Sequence, residues 1–183
     1  MRAFIAIACP ELIRKELAGV QDELRSTGDL KLVSEENIHL TVKFLGEADE
    51  KKIDGVKAAL EKVKLQEFTV SVNEIGAFPE KGAPKVVWAG VGSGAKELYD
   101  LHNAVDDALL PLGFQRDDRF SSHFTLARVR HMRDINGFRE ICKRYAGKEF
   151  GSFQAGGIDL MQSVLKREGP AYSKVYRLEF SGK

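Results

Sequence analysis

Hydrophobic positions along this chain fall into short blocks with two different periods. Residues 4–8 form an unbroken apolar run closed by Pro10, the pattern of a central strand that hands over to a helix with proline in its first turn. Ile13, Leu17, Val20 and Leu24 then recur at steps of four, three and four, which puts one apolar stripe on a helix that Gly28 ends. From 38 to 45 the period drops to two. Ile38, Leu40, Val42 and Phe44 share one face and His39, Thr41 and Lys43 the other, as in a half-buried strand. A helix over about 50–64 presents Ile53, Val56, Leu60 and Val63, and strands near 68–78 and 85–91 follow, joined through a turn-rich stretch at 79–84.

The order then repeats at an offset of about 84 residues. A helix over about 95–110 carries Leu98, Leu101, Val105 and Leu109. A strand at about 122–130, a helix near 134–145 and strands near 152–162 and 171–180 complete the second copy. The expected fold class is α+β. Two pseudo-two-fold-related lobes, each an antiparallel sheet with outer helices, flank a central cleft within one bilobal domain over 1–183. The internal repeat covers about 10–91 and 95–181, with the crossing at Val-Gly-Ser-Gly-Ala, residues 91–95. A single continuous sheet with helices on one face is the alternative.

Composition narrows the function. With 43% hydrophobic and 30% charged residues the chain is a folded soluble protein, and a formal charge of +1 gives no global field to hold a long polyanion. A local basic site for a short nucleic-acid end stays open. Cys9 and Cys142 make neither a disulfide framework nor a zinc pattern. No stretch has the length and flanks of an export signal or membrane span, so a cytoplasmic protein that engages no membrane is expected.

The two copies of the repeat hold the same chemistry. His39-Leu40-Thr41-Val42 and His123-Phe124-Thr125-Leu126 lie 84 residues apart and use two of the four histidines and two of the four threonines. A lone histidine on the polar face of a strand is usually a solvated residue; a pair at equivalent repeat positions is a duplicated site. Each threonine hydroxyl sits beside its histidine on one strand face, and a two-fold can aim both pairs into one cleft. Two imidazoles across a small substrate suit displacement at phosphorus, one accepting a proton from the nucleophile and one giving a proton to the leaving oxygen. Hydroxyls, amides and a guanidinium would hold the phosphoryl oxygens. The motifs have no acidic or thiol neighbours at ligand spacing, so neither a metal nor another cofactor is expected. His102, beside a helix stripe, reads as structural, and His131, in the basic 128–133 stretch, as a solvated loop residue.

Residues 37–46 (Asn-Ile-His-Leu-Thr-Val-Lys-Phe-Leu-Gly), 122–128 (Ser-His-Phe-Thr-Leu-Ala-Arg), 2–7 and 85–90 together resemble the RNA 2′,3′-cyclic phosphodiesterase family, also called 2′-5′ RNA ligases, within the two-histidine phosphoesterases. The resemblance spans essentially the whole chain. It implies a bilobal fold with a central cleft and metal-independent opening of RNA 2′,3′-cyclic phosphate ends to 2′-phosphates. His39 would be the proton donor, His123 the proton acceptor, and Thr41 and Thr125 the phosphate ligands. The approximate two-fold leaves the two histidine roles exchangeable. The implied partner is RNA with a cyclic phosphate end, tRNA fragments among them, with the protein acting as a monomer. Two alternatives differ in chemistry: a 2′-5′ ligase that joins cleaved tRNA halves, and a non-catalytic RNA-end or nucleotide-binding protein.

Three substrate-binding candidates are Arg128, Lys43 and Arg130. Arg128 matches a family position, yet strict alternation from His123 puts it on the opposite face, so a bulge or strand end must turn it back. Lys43 is expected on the face of His39 and Thr41. Arg116, Arg119, Arg128, Arg130 and Arg133 form a local basic excess that could receive RNA phosphates. Phe44, Phe120, Trp88, Tyr172 and Tyr176 are candidates for base stacking.

Overall fold

The computed structural model describes residues 1–167 and 169–182. Among them the elements run β1 Arg2–Ala8, α1 Glu11–Leu24, β2 Gly28–Leu32, β3 His39–Glu47, α2 Glu50–Leu60, β4 Phe68–Phe78, β5 Val86–Val91, α3 Ala95–Leu109, β6 His123–Met132, α4 Ile135–Arg144, β7 Glu149–Ala155, β8 Gly157–Lys166 and β9 Gly169–Glu179. The apolar stripes read from the sequence are the buried ones: Ile13, Leu17, Val20 and Leu24 on α1, and Leu98, Leu101, Val105 and Leu109 on α3. Asp49 and Asp134 cap α2 and α4, each accepting at 2.8 Å from the amide three residues on.

The strands form one curled antiparallel sheet in the order β7-β4-β5-β6-β3-β1-β8-β9, with β2 also on β6. Its two wings are the lobes. They meet at β3 and β6, whose ladder holds a single pair among the described residues, Leu40 opposite Phe124, both fully buried. The halves of the sequence are interleaved. The β4–β5 hairpin of the first half extends the wing of β6, and the β8–β9 hairpin of the second half extends the wing of β3 through β1. Helices exchange likewise: α1 packs with α4 near β6 and β7, and α2 packs with α3 near β3. Each half thus covers apolar surface of the other, and neither can bury its core alone.

Two elements depart from the hydrophobic pattern. The five-residue β2 has no strong strand signal of its own and forms because it lies along β6. A side chain at Gly28 would stand 2.3 Å from the His131 carbonyl oxygen, so only glycine allows the strands to approach. The single strand expected over 152–162 is two, divided at Gly156. β7 pairs with β4 at one edge of the sheet, and β8 leaves for β1 in the other wing.

The decisive departure is a pair of β-bulges. Opposite β1, Thr41 pairs with Ala6 and Lys43 with Ile5, leaving Val42 extra; opposite β5, Thr125 pairs with Trp88 and Ala127 with Val87, leaving Leu126 extra. Each bulge places two successive residues on the helix side and inverts the alternation beyond. Val42 and Lys43 are both buried, as are Leu126 and Ala127. Phe44 and Arg128, the next residues, emerge exposed on the face of the histidines. The expectation that Lys43 shares the face of His39 is therefore corrected. Lys43 is 5% exposed, and its ammonium donates to the carboxylate of Asp106 on α3 and at 2.7 Å to the Gln115 carbonyl.

Both bulges are pinned from the helices by buried polar side chains. Gln21 on α1 donates at 2.8 Å to the Leu126 carbonyl and at 2.7 Å to the Val33 carbonyl. His102 on α3 has one ring nitrogen 2.8 Å from the Val42 carbonyl and the other 2.9 Å from the Asp117 carbonyl, with Phe120 stacked on it at 4.2 Å. Burial pushes the Asp106 carboxyl up, but the hydrogen bonds from Lys43 and the Asp117 amide, with the charge of Lys43, leave it below its ordinary value. Its contribution to stability is complete above the usual aspartate range, near pH 4, and fades as pH falls through the lowered value. Replacement Lys43→Met leaves Asp106 buried without its ammonium and is expected to cost about 3–5 kcal/mol in urea unfolding at neutral pH. An unfolding midpoint equal to that of the wild type would show that the pair does not hold α3 to β3.

Candidate active site

The face of the sheet opposite the helices is built around the β3–β6 junction. Continuing the Leu40–Phe124 register by one residue each way sets His39 against Thr125 and Thr41 against His123. The four side chains predicted from the two motifs thus share one floor, with the two histidines as diagonal neighbours. In a regular ladder such neighbours stand about 7–8 Å apart, a gap that one phosphoryl group spans. The remaining motif residues, Leu40, Val42, Phe124 and Leu126, lie in the core beneath.

Each imidazole is fixed by the backbone two residues before it. Nδ1 of His39 lies 2.6 Å from the Asn37 carbonyl oxygen, and Nδ1 of His123 lies 2.7 Å from that of Ser121. A carbonyl only accepts, so Nδ1 carries a proton in both rings and Nε2 is the atom whose proton can come and go. Nε2 of His39 is 3.0 Å from the Thr41 hydroxyl oxygen. Aromatic rings hold both imidazoles in place. His39 stacks on Phe4 with centroids 4.9 Å apart and meets the edge of Tyr172 at 5.4 Å, while His123 meets the edge of Phe78 at 5.1 Å. Asn37 and Ser121 come with the histidines as chain neighbours, whereas Phe4 and Phe78 are brought here by the pairing of β1 and β5 with their neighbours.

This enclosure shifts both histidines in the same direction. Burial lowers the pKa of His39, opposed by its bond to the Asn37 carbonyl and reinforced by the charge of His123. Burial also lowers His123, opposed by the Ser121 carbonyl and reinforced by the positive charge of Arg128. The bulge at Leu126 answers the conflict in the strand alternation, because it turns Arg128 onto the histidine face, where its charge reaches His123 and, across the cleft, Tyr172.

The other expected binding residues scatter. Arg130 is the extra residue of a further irregularity opposite β2 and lies 3.9 Å from Asp29; Arg116 is bound to Asp107. The basic run is therefore not one surface. Of the aromatic candidates, Phe44 is 68% exposed beside Phe4, and Trp88 stands next to Thr125. Phe120 is occupied against His102, and Tyr176 points toward Glu61 behind the sheet. Cys9 is buried and its thiol pushed up to about 12, which leaves it chemically inert. Among the described residues no cluster of three or more His, Cys, Asp and Glu could hold a metal ion, and no helix is long and apolar enough to cross a membrane.

Known proteins share this chain's sequence pattern and fold. The family model described as LigT like Phosphoesterase matches residues 7–88 and again 90–172, one match to each half of the internal repeat. The RNA 2′,3′-cyclic phosphodiesterase of Archaeoglobus fulgidus is 37% identical over 172 residues, 94% of this chain and 96% of that protein. The crystal structure of TT0787 of Thermus thermophilus superposes with a TM-score of 0.83 at 27% identity, each chain covered in full. E. coli LigT, solved in complex with 3′-AMP, has the same fold, with a TM-score of 0.76 at 22% identity over 98% of both chains. A duplicated half, a sheet joined at two His-x-Thr strands and full-length matches all lead to one family, and the chain belongs to the LigT-like phosphoesterases.

Proposed function

We propose that this chain opens the 2′,3′-cyclic phosphate at the end of an RNA to leave a 2′-phosphate, by proton transfer between two histidines and without a metal. The observation that carries this reading is the paired tautomer. Both rings hold a proton on Nδ1 against a carbonyl, which leaves Nε2 to exchange one, that of His39 beside the Thr41 hydroxyl. The A. fulgidus relative bears the name of this activity, and E. coli LigT was solved with a nucleotide bound.

In the proposed reaction His123 Nε2 takes a proton from water as its oxygen attacks phosphorus. The P–O3′ bond breaks in line, and the proton on His39 Nε2 passes to O3′, giving a free 3′-hydroxyl and a 2′-phosphomonoester. Thr41 and Thr125 hydroxyls donate to the non-bridging oxygens, and the Arg128 guanidinium offsets the negative charge that builds on them. Both transfers come from side chains, so no bound ion is asked to activate water. Phe44 and Trp88 offer ring faces on the same floor for the terminal base. The substrate in the cell is proposed to be RNA ends, tRNA fragments among them, met by a monomer in the cytoplasm.

Either His39→Ala or His123→Ala is expected to reduce kcat/KM on a short RNA with a 2′,3′-cyclic end, in excess EDTA, by at least about 10²-fold, with folding unchanged by circular dichroism. Retained turnover in both variants would remove the mechanism. A longer product from paired ends would identify ligation, and binding without turnover would favour the non-catalytic alternative. The pH dependence has a definite sign. One histidine must be protonated and the other neutral, and burial lowers both, so kcat/KM should be bell-shaped with its alkaline limb beginning below the ordinary histidine value of about 6.5. A plateau extending past pH 8 would contradict the shared proton.

A further inference from the structure

The floor of the cleft is chemically lopsided despite its pseudo-two-fold. Beyond the histidine and threonine side chains, the bulges expose Phe44 at one end, packed beside Phe4, and Arg128 at the other. At the arginine end the strand that the hydrophobic pattern did not foresee, β2, supplies an unexpected neighbour. Lys31 is directly opposite Arg128 in the β2–β6 ladder. Partners in an antiparallel ladder share a face, so Lys31 stands on the same side of the sheet as Arg128, His123 and Thr125, and both cations are exposed.

Like charges directly opposed across two strands destabilise the pair. Elsewhere the sheet avoids this: Arg2 of β1 is opposed by Glu47 of β3, and Arg130 lies 3.9 Å from Asp29. Lys31 and Arg128 have no such arrangement, and neither forms an ion pair among the described residues. Two unneutralised cations side by side at the end of a phosphoryl site define a place for a second anion. From this geometry, and resting on the hydrolase reading above, we infer that Lys31 and Arg128 form a second phosphate subsite that takes the phosphodiester upstream of the cyclic end. At the Phe44 end the exposed cation, Arg2, is opposed by Glu47, whereas Lys31 and Arg128 stand as a pair with no carboxylate opposite, so the RNA strand enters over Lys31. The preferred substrate is then an oligonucleotide end rather than a free cyclic mononucleotide. Lysine serves here as a point charge, whereas the charge of Arg128 also acts on His123.

The test compares wild type, Lys31→Ala and Lys31→Arg on 2′,3′-cyclic AMP and on a trinucleotide with the same cyclic end. Lys31→Ala is expected to reduce the trinucleotide-to-mononucleotide preference in kcat/KM about tenfold and to flatten its salt dependence by about 0.7 in log–log slope, the loss of one single-strand phosphate contact. Lys31→Arg should restore both. An equal loss on the two substrates, or none on the trinucleotide, overturns the subsite. Titration of the products, adenosine 2′-phosphate and the trinucleotide 2′-phosphate, reads the subsite independently of turnover. A wild type that opens neither ring but binds the trinucleotide more tightly, through Lys31, would refute the hydrolase reading and leave the subsite standing. Equal binding of both products would refute the subsite alone.

Discussion

The two bulges, at Val42 and Leu126, are the constraint on which the rest of this site depends. A regular strand through His39 and Thr41 would next expose Lys43 and bury Phe44; one through His123 and Thr125 would expose Ala127 and bury Arg128. One extra residue in each strand reverses both outcomes. The carbonyls displaced by the bulges have to be satisfied inside the core, since an orphaned buried carbonyl costs about 1–3 kcal/mol. His102 does this for Val42 from α3; at Leu126 the Val33 amide gives one hydrogen bond at 2.8 Å and Gln21, from α1, gives a second, and each of the two side chains reaches a strand of the other half of the sequence. The polar residues buried under the sheet are thus part of how the open face is set.

Hydrophobic periodicity reads the helices and most strands directly, because their stripes are buried where the periods of 3.6 and two place them. The His-x-Thr pairs are legible for the same reason: through four residues the alternation is regular. It fails one residue later. The side chain that pins each bulge lies 60 residues from Val42 and 105 from Leu126 in the chain, at His102 and Gln21, which is beyond any local pattern. Arg128 at least signals a bulge, because a cleft arginine conflicts with the strand alternation. The identical irregularity at Lys43 leaves no such sign, since an exposed lysine on a polar face looks ordinary. The strand β2 is hidden because Gly28 and Asp29 weaken its local preference, and contact with β6 overrides it. Lys31 cannot be assigned without that contact.

Interleaving explains why a duplicated chain behaves as one unit. If each half formed its own lobe, the cleft would lie between two independently stable bodies. Here the hairpin and one helix of each half complete the lobe built on the other half's histidine strand. The single Leu40–Phe124 bridge can then suffice at the centre, because the covalent crossings and exchanged helices hold the wings on both sides. Duplication also leaves each histidine free to diverge in its surroundings. His39 is enclosed by Phe4 and Tyr172, and His123 meets Phe78 with the charge of Arg128 close by.

That divergence bears on which ring gives the proton. A cation near His123 disfavours its protonated form and so suits it to accept a proton from water at the start of the reaction. His39 also feels its partner's charge, so protonating one ring lowers the other. In the proposed reaction the pair shares a proton as a unit, and the charge of Arg128 beside His123 biases it toward His39. The substrate strengthens the bias. An anionic phosphate between the rings favours a proton on whichever imidazole is farther from the guanidinium. The proposed role of His39 as donor to O3′ thus draws its support from the residues that the bulges bring to the surface, which make the surroundings of two identical motifs unequal.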